Sequence, residues 1–268
     1  MRIGQNKSEG AAFASNETAS EDSVTHRSSN RIISKGLAQG MALLGLGGGL
    51  GLLSFFSEIA SPPMRDLLAS TISAGSAWAL TAFVVSILFA KWMRCVSSAI
   101  ASLVVATVTY YFLIVASGTR SGGYALPREG EPAARLGLLA QLESMATGIL
   151  LWIGLSIVAG LAVGSLGYVV GSKKEKFAAV AAGLTVGILA GPAVYPLTPL
   201  AFYGVAAQGA TSIAGGLIIL LASFIVPTLA LAAKRRNPRW TYFAASICLA
   251  FAAALGVWHL VEQVRITL

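Results

Sequence analysis

Few side chains in this sequence could carry out chemistry, and they do not fall into a catalytic or metal-binding pattern. The chain of 268 residues has two histidines, two cysteines and eleven acidic residues. The motifs of zinc proteases (His-Glu-x-x-His), α/β-hydrolases (Gly-x-Ser-x-Gly) and P-loop proteins are absent from the sequence. Cys95 and Cys248 stand apart, outside any Cys-x-x-Cys spacing. The sequence therefore predicts a protein that is not an enzyme and that holds no metal or cofactor.

The side chains that could bind a small molecule instead are hydroxyls and aromatic rings inside apolar segments. Trp78 lies about ten residues from the end of its segment, which at ~1.5 Å per residue places the indole near the middle of a membrane. Hydroxyls on helices usually bond to their own backbone, so serines and threonines alone indicate little. The predicted pocket combines aromatic residues with neighbouring glycine and prolines: Trp78, Tyr110, Tyr111, Gly191, Pro192, Tyr195 and Pro196.

The composition of the chain shows what kind of element must position these residues. Hydrophobic residues make up 56% of the sequence and charged residues only 11%, whereas about a quarter of a soluble protein is charged. Residues 177–233 form a run of 57 residues without an Asp, Glu, Lys, Arg or His. A membrane helix needs ~20 apolar residues to cross ~30 Å of hydrocarbon, so this run is long enough for two crossings. The sequence therefore predicts an integral membrane protein.

Uncharged segments separated by charged or proline-rich stretches predict about seven transmembrane helices, so the fold class is an all-α polytopic bundle. The segments cover residues 36–56, 68–90, 95–117, 146–171, 177–195, 209–233 and 240–260. Basic clusters follow the second, fourth and sixth segments: Lys91 and Arg94; Lys173, Lys174 and Lys176; Lys234, Arg235, Arg236 and Arg239.

The distribution of positive charge predicts the orientation of this bundle. If the three basic loops and the N-terminal tail share one side, that side carries nearly three-quarters of the 19 basic residues. Because cytoplasmic loops carry the excess of Lys and Arg, we predict a cytoplasmic N-terminus and an external C-terminus in the cell (plasma) membrane. The net charge of +8 then indicates anionic lipid headgroups as partners in the bilayer, and no nucleic acid.

The chain divides by composition into a tail and a membrane domain. Residues 1–32 are rich in polar residues and lack an apolar period, which predicts a disordered cytoplasmic tail. Residues 33–268 form the transmembrane domain. Within it, matches at an offset of 140 residues, such as Gly47 with Gly187 and Gly51 with Gly191, are compatible with two parallel three-helix repeats joined by a linking helix, a 3+1+3 arrangement. Chance matches between glycine-rich segments are the alternative.

Glycines spaced four residues apart are typical of close helix packing in membranes. The predicted packing residues are Gly47, Gly51, Gly160, Gly164, Gly183 and Gly187. In the first segment the alternative is that the glycines loosen a helix that bends around a substrate.

Two connecting stretches are also unusual. Three prolines in residues 191–199 cannot continue a helix, which predicts either a surface turn or a segment, 191–208, that re-enters the membrane. In residues 118–145 Glu131 and Pro132 predict the start of a short amphipathic helix on the outer membrane surface, or a lid over a pocket. His259 is predicted to extend from the last segment to the interface.

Three short strings, Ser76-Ala77-Trp78, residues 107–111 (TVTYY) and residues 189–192 (LAGP), resemble those of an uncharacterised family of bacterial multi-span membrane proteins. The resemblance covers the second to the sixth segment. It implies a helical membrane fold and brings no established activity with it.

Two functions fit these observations. The first is a permease for an uncharged or weakly polar solute, with the aromatic residues as its pocket. The alternative is a scaffold or interaction subunit of an envelope complex, with another membrane protein or a second copy of the chain as partner. An enzyme within the membrane ranks third, because it would need Glu129, Glu131 or Glu143 to fold back over the bundle.

Overall fold

The computed structural model describes residues 39–72, 75–117, 138–171, 174–195, 210–234 and 237–267, and the regular structure in these ranges is helical throughout. The chain divides after Ala42 into two units. Apart from the first residues of helix α1, everything described below belongs to the larger unit, Leu43–Leu268. The predicted tail, residues 1–32, lies outside the described residues.

Eight helices follow one another in the described part of the chain. They are α1 (Gln39–Ile59), α2 (Pro62–Thr71), α3 (Gly75–Ser86), α4 (Trp92–Ser117), α5 (Leu138–Gly171), α6 (Glu175–Val194), α7 (Ala210–Lys234) and α8 (Trp240–Thr267). Six of them, α1 and α4 to α8, contain a segment long and apolar enough to cross a membrane. The prediction of an all-α polytopic membrane bundle is therefore confirmed.

The direction of α1 relative to α4 shows that the chain also crosses the membrane between them. A Cβ atom built on Gly47 would lie 2.6 Å from the carbonyl oxygen of Ser102, and one built on Gly51 would strike that of Ala106. Contacts that advance together along both helices mean that α1 and α4 run parallel. The chain must then return across the membrane through α2 and α3. These two helices are bent by 50° relative to each other, and if they count as one broken span, the described residues contain seven candidate crossings.

The prediction of one continuous helix over residues 68–90 is wrong, because this span is broken between Thr71 and Gly75. Ser70 donates its hydroxyl to the carbonyl of Asp66 at 2.7 Å, and Thr71 donates to that of Leu67 at 2.7 Å. Side-chain bonds of this kind, one turn back along the helix, are known to bend helices. The break therefore begins where two consecutive hydroxyls compete for backbone carbonyls.

Helix α5 also differs from the prediction. It is one helix of 34 residues, ~51 Å long at ~1.5 Å per residue, whereas its membrane-crossing part is Gly148–Gly171. Residues 138–147 continue the axis of the span, so they are no separate surface helix. The predicted helix start at Glu131 and Pro132 lies outside the described residues.

Helix α6 is the centre of the bundle. Of its span, 61% is buried, against 17–33% of the other single-helix spans. Its alanine-rich surface, including Ala178 and Ala182, packs with Phe83, Leu231 and Phe243 from three other helices. Alanine and glycine suit this position because small side chains let neighbouring helix backbones approach closely.

The end of this helix agrees with the predicted segment, residues 177–195. Helix α6 includes Pro192 and ends at Val194. The ring removes one backbone donor, but only in the last turn, where few residues follow to be disrupted. Whether residues 191–208 re-enter the membrane stays a prediction, because residues 196–208 lie outside the described residues.

The starts of α4, α6 and α8 lie at one end of the bundle, together with the ends of α3, α5 and α7. We call this end the basic end. Lys234 donates from Nζ to the carbonyl of Ile87 at 2.9 Å, which caps the end of α3. Arg239 lies 3.9 Å from Glu175 at the start of α6. The basic residues of the sequence clusters that are described therefore lie together. Lys173, Arg235 and Arg236 lie outside the described residues.

Candidate functional site

A cavity of about 390 Å³ lies between α1, α3, α4 and α5. Its size is within the ~300–1,000 Å³ typical of small-molecule sites. Its lining consists of Ser54, Gly75, Trp78, Ala79, Leu103, Thr107, Tyr110, Tyr111, Trp152, Leu155, Ser156 and Ala159. Leu103 lies near the middle of α4, and Tyr111 lies within two turns of its end, Ser117. The cavity therefore extends from the middle of the bundle towards the end opposite the basic end.

The contact between α1 and α4 closes the cavity towards the basic end. Gly47 and Gly51 face the backbone of α4 so closely that no side chain fits at either position. Ser54 is the next residue on this face of α1, and it lines the cavity. The two helices thus separate where the glycine line ends.

A second glycine line closes the cavity from α5. A Cβ atom built on Gly160 would lie 2.8 Å from the Cα atom of Ile100, and one on Gly164 would lie 2.7 Å from that of Val96. These contacts run in opposite directions along the two helices, so α4 and α5 are antiparallel. Ala159, immediately before this line, belongs to the lining. Both glycine lines therefore end at the floor of the cavity.

The aromatic side chains of the lining come from three helices. Trp78 belongs to α3, Tyr110 and Tyr111 to α4, and Trp152 to α5. The Tyr110 and Tyr111 rings are nearly perpendicular, with centroids 5.2 Å apart. Three of the predicted pocket residues, Trp78, Tyr110 and Tyr111, thus lie around one cavity. Trp152 was missed by the sequence analysis, although Trp152, Ser156 and Ala159 have the spacing of one helix face.

The other predicted pocket residues lie elsewhere. Gly191 packs against Ala254 of α8, and Pro192 is inside the last turn of α6. Tyr195 is buried at the end of the same helix and is not part of the lining. Pro196 lies outside the described residues. These residues share only their residue types with the predicted pocket around Trp78. A residue type carries no information on which helices are neighbours.

Hydroxyl groups supply the polar part of the lining. Ser54 is 1% exposed, and its Oγ atom has no hydrogen-bond partner among the described residues. Thr107 of α4 and Ser156 of α5 lie side by side in the lining, with 3.4 Å between their hydroxyl oxygens. Ser156 also donates to the carbonyl of Trp152 at 2.7 Å. A buried hydroxyl without a partner costs about 1–3 kcal/mol, so a ligand that bonds to Ser54 would recover this loss.

A carboxylate lies beside the cavity at the end of α1. The hydroxyl of Tyr110 donates to Oε1 of Glu58 at 2.8 Å. This bond joins α1 to α4 two turns beyond Gly51, at the end of the cavity opposite its floor. The sequence analysis assigned no role to Glu58, because nothing in a linear sequence pairs it with Tyr110, 52 residues away.

The predicted packing glycines all lie at contacts between helices. Gly47, Gly51, Gly160 and Gly164 face α4, as described above. Gly183 faces Phe243 and Ser246 of α8, and a Cβ atom on Gly187 would lie 2.5 Å from that of Ala250.

The prediction that His259 extends to the membrane interface stays a prediction. The side chain of His259 is only partly exposed, and its Nδ1 atom is buried without a hydrogen-bond partner in the described part of the chain. The side chain therefore does not extend to the interface through this atom.

The lining offers hydrogen bonds and aromatic contact. Among the described residues, no group of three or more His, Cys, Asp or Glu side chains could hold a metal ion. The polar side-chain groups of the lining are neutral hydroxyls and the indole N–H groups of Trp78 and Trp152, which can orient a bound molecule. Comparisons of the chain with protein-family models, curated proteins and solved structures find no match. The geometry of the cavity is therefore the main guide to function.

Proposed function

We propose that this multi-pass membrane protein is a permease for an uncharged or weakly polar solute, and that the cavity between α1, α3, α4 and α5 is its binding site. The observation that carries the proposal is a cavity that reaches the middle of the bundle, with the buried, unpartnered hydroxyl of Ser54 beside it. A polar group is costly in such a place unless something bonds to it.

The lining favours a neutral solute. A charged solute in an apolar site needs a partner of opposite charge or several strong hydrogen bonds. The lining residues are uncharged, and Glu58 beside them accepts a hydrogen bond from the hydroxyl of Tyr110. Aromatic walls with a few hydroxyls suit a molecule with an apolar body and one or two polar groups. Binding and passage, without catalysis, are the proposed role.

The charge distribution supports an orientation for this permease. We propose that the basic end lies on the cytoplasmic side of the plasma membrane, because cytoplasmic loops carry the excess of Lys and Arg. With seven crossings, this orientation has a cytoplasmic N-terminus and an external C-terminus. In this orientation the cavity lies in the outer half of the membrane, closed towards the cytoplasm by the two glycine lines.

Flux through proteoliposomes tests the proposal. The panel contains glycerol and erythritol, followed by stopped-flow light scattering, and a fluorescent lipid with an uncharged sugar headgroup, followed by dithionite bleaching. We expect protein-dependent movement of at least one of them, reduced at least tenfold by Tyr111→Ala. Phe112→Ala is the matched control, because its neighbouring side chain on α4 is 67% exposed and outside the lining.

If no compound moves faster with protein than without it, the permease proposal fails. Equal loss in Tyr111→Ala and Phe112→Ala would also contradict it, since the cavity would then have no special part in flux. In either case co-purification of a stoichiometric membrane partner in mild detergent would favour the interaction subunit.

A further inference from the structure

The wall of the cavity formed by α5 is open to the surroundings of the bundle. Trp152 and Leu155 line the cavity and are also 49% and 47% exposed. They lie four and seven residues inside the span that begins at Gly148, or about 6 and 10 Å along the helix. A rim at this depth is in contact with lipid, because the hydrocarbon core is ~30 Å thick.

Helix contacts close the cavity at its floor and at the opposite end. Gly51 and Gly160 hold α1 and α5 against α4 at the floor. At the opposite end the bond between Tyr110 and Glu58 joins α1 to α4. A route for a ligand therefore passes Trp152 and Leu155, which line the cavity and are exposed, and at their depth it leads into the bilayer.

The polar groups at the inner end of this route are neutral. Ser54 can donate one hydrogen bond and accept two, and none of these is used by another described residue. The 3.4 Å separation of Thr107 and Ser156 is long for two hydroxyls, which normally approach to ~2.7–2.8 Å. A ligand oxygen could bond to these hydroxyls without displacing a strong internal bond.

We propose that the cavity binds an uncharged amphiphile that enters from the lipid bilayer. Its hydroxyl or carbonyl group bonds to Ser54 and to the Thr107–Ser156 pair. Its apolar body lies among the rings of Trp78 and Trp152, and its remaining chain leaves past Leu155. The inference rests on the proposed function only in that the cavity is taken as the solute site.

An organic cation is the principal alternative ligand. Aromatic rings attract cations, and Glu58 lies beside the lining. However, the deepest polar atoms are hydroxyls, and a compact ammonium group with alkyl substituents would leave the hydroxyl of Ser54 without an acceptor. The arrangement therefore favours a neutral oxygen group, and the cation becomes an outcome of the test.

The first experiment measures how Trp78 meets its surroundings. Trp92, Trp152, Trp240 and Trp258 are replaced by Phe, and the protein is reconstituted in bilayers with brominated acyl chains. We expect these lipids to quench the fluorescence of Trp78 at least twofold more than aqueous iodide does. Quenching by iodide but not by brominated lipid would show that the cavity opens to water and would overturn the proposal.

The second experiment uses the unmodified tryptophans and three probes that share a brominated undecyl chain. Their headgroups are a hydroxyl, a carboxylate and a trimethylammonium group. We expect saturable quenching by the alcohol, with at least tenfold weaker binding of the two charged probes. Ser54→Ala should weaken binding of the alcohol about five- to tenfold, the equivalent of one hydrogen bond.

Ser57→Ala is the matched control for Ser54→Ala. Ser57 is also buried in α1, but its hydroxyl already donates to the carbonyl of Ser54 at 2.6 Å, and it is not in the lining. Its replacement should leave binding within twofold of the wild type. Tighter binding of the ammonium probe, or an equal loss in both serine variants, would overturn the proposal.

The two proposals fail in different ways. Saturable binding of the alcohol without flux of any panel compound would remove the permease and keep the ligand class. Flux of glycerol without quenching by brominated lipid or by the alcohol would keep the permease and remove the amphiphile.

Discussion

Two helix pairs in this protein are built on the same plan and end differently. In α6 and α8, Gly187 faces Ala250 and Gly191 faces Ala254; in α1 and α4, Gly47 faces Ser102 and Gly51 faces Ala106. Because both sets of contacts advance together, both pairs are parallel. The α6–α8 contact stays closed along its length, whereas the α1–α4 contact opens into the cavity.

The residues before and after the shared glycines explain the difference. In α6 the line starts one turn earlier, where Gly183 faces Phe243 and Ser246, and other helices surround it. In α1 the glycine line stops at Gly51. The next residue on this face, Ser54, lines the cavity together with Tyr110 and Tyr111 of α4. A glycine line thus serves as core packing in one pair and as the floor of a site in the other.

The largest effect is expected where the closed pair is overfilled. A Cβ atom on Gly187 would lie 2.5 Å from Ala250 Cβ, 2.7 Å from Phe251 N and 2.9 Å from Ile247 O. Two of these are backbone atoms, which cannot move alone. Gly187→Val should lower the free energy of unfolding in mixed micelles by about 3 kcal/mol, the upper part of the range for overpacking. Gly256→Val is the control, because nothing lies within 4 Å of its Cβ position. Equal losses in both variants would mean that close packing is not the reason for glycine at residue 187.

Overfilling the open pair should cost less. Gly51→Val also meets backbone, the carbonyl oxygen of Ala106, and a Cβ atom would lie 2.9 Å from Thr109 Cβ. However, only 33% of the α1 span is buried, so the helix can shift into lipid. We expect a loss of about 1–2 kcal/mol in the same unfolding assay. The control Gly49→Val, which meets nothing within 4 Å, should change little. A loss as large as that of Gly187→Val would contradict the proposed difference between the pairs.

Two features of this comparison could be predicted from residue types and their spacing in the sequence. The helical membrane fold follows from hydropathy, and the positions of the packing glycines follow from their four-residue spacing. The spacing does not state which helix each glycine faces. Gly47 and Gly187 look alike in the sequence, yet one lies at the floor of a cavity and the other in a closed contact.

The residues that complete the site were not predictable for the same reason. Ser54 and Glu58 belong to α1, Tyr110 to α4 and Trp152 to α5, and their proximity arises from helix directions that become known only through contacts. The break after Thr71 was also missed, because the apolar pattern of residues 68–90 continues through it and the bend of 50° is a feature of the three-dimensional structure. Local signals predicted elements, and tertiary contacts decided neighbours.

Removing one buried hydroxyl from each pair should have opposite effects. Ser54 in the open pair has no hydrogen-bond partner among the described residues, whereas Ser246 in the closed pair donates to the carbonyl of Phe243 at 2.9 Å. Without added ligand, Ser54→Ala should raise the free energy of unfolding by about 1 kcal/mol, because an unsatisfied group is removed. Ser246→Ala should lower it by about 0.6 kcal/mol, the average of such bonds in membrane helices. Destabilisation by both would show that Ser54 has a structural partner and is not held free for a ligand.

The smallest energetic effect, and the sharpest test of the open pair, concerns the bond that joins α1 to α4 beyond the cavity. Tyr110→Phe removes the hydroxyl that donates to Glu58 at 2.8 Å and keeps the ring in the lining. The free energy of unfolding should fall by less than about 1 kcal/mol, because one hydrogen bond is exchanged for lipid or water contact.

Access of a reagent to the cavity should change more than the stability of the protein. In a background with Cys248 replaced by Ser, a cysteine introduced by Ser54→Cys should react with a membrane-permeant maleimide several-fold faster when Tyr110→Phe is added. Cys95 is buried and provides the internal reference for slow labelling. An unchanged rate would mean that the Tyr110–Glu58 bond does not limit entry, and that the open side of α5 already admits every ligand that the cavity holds.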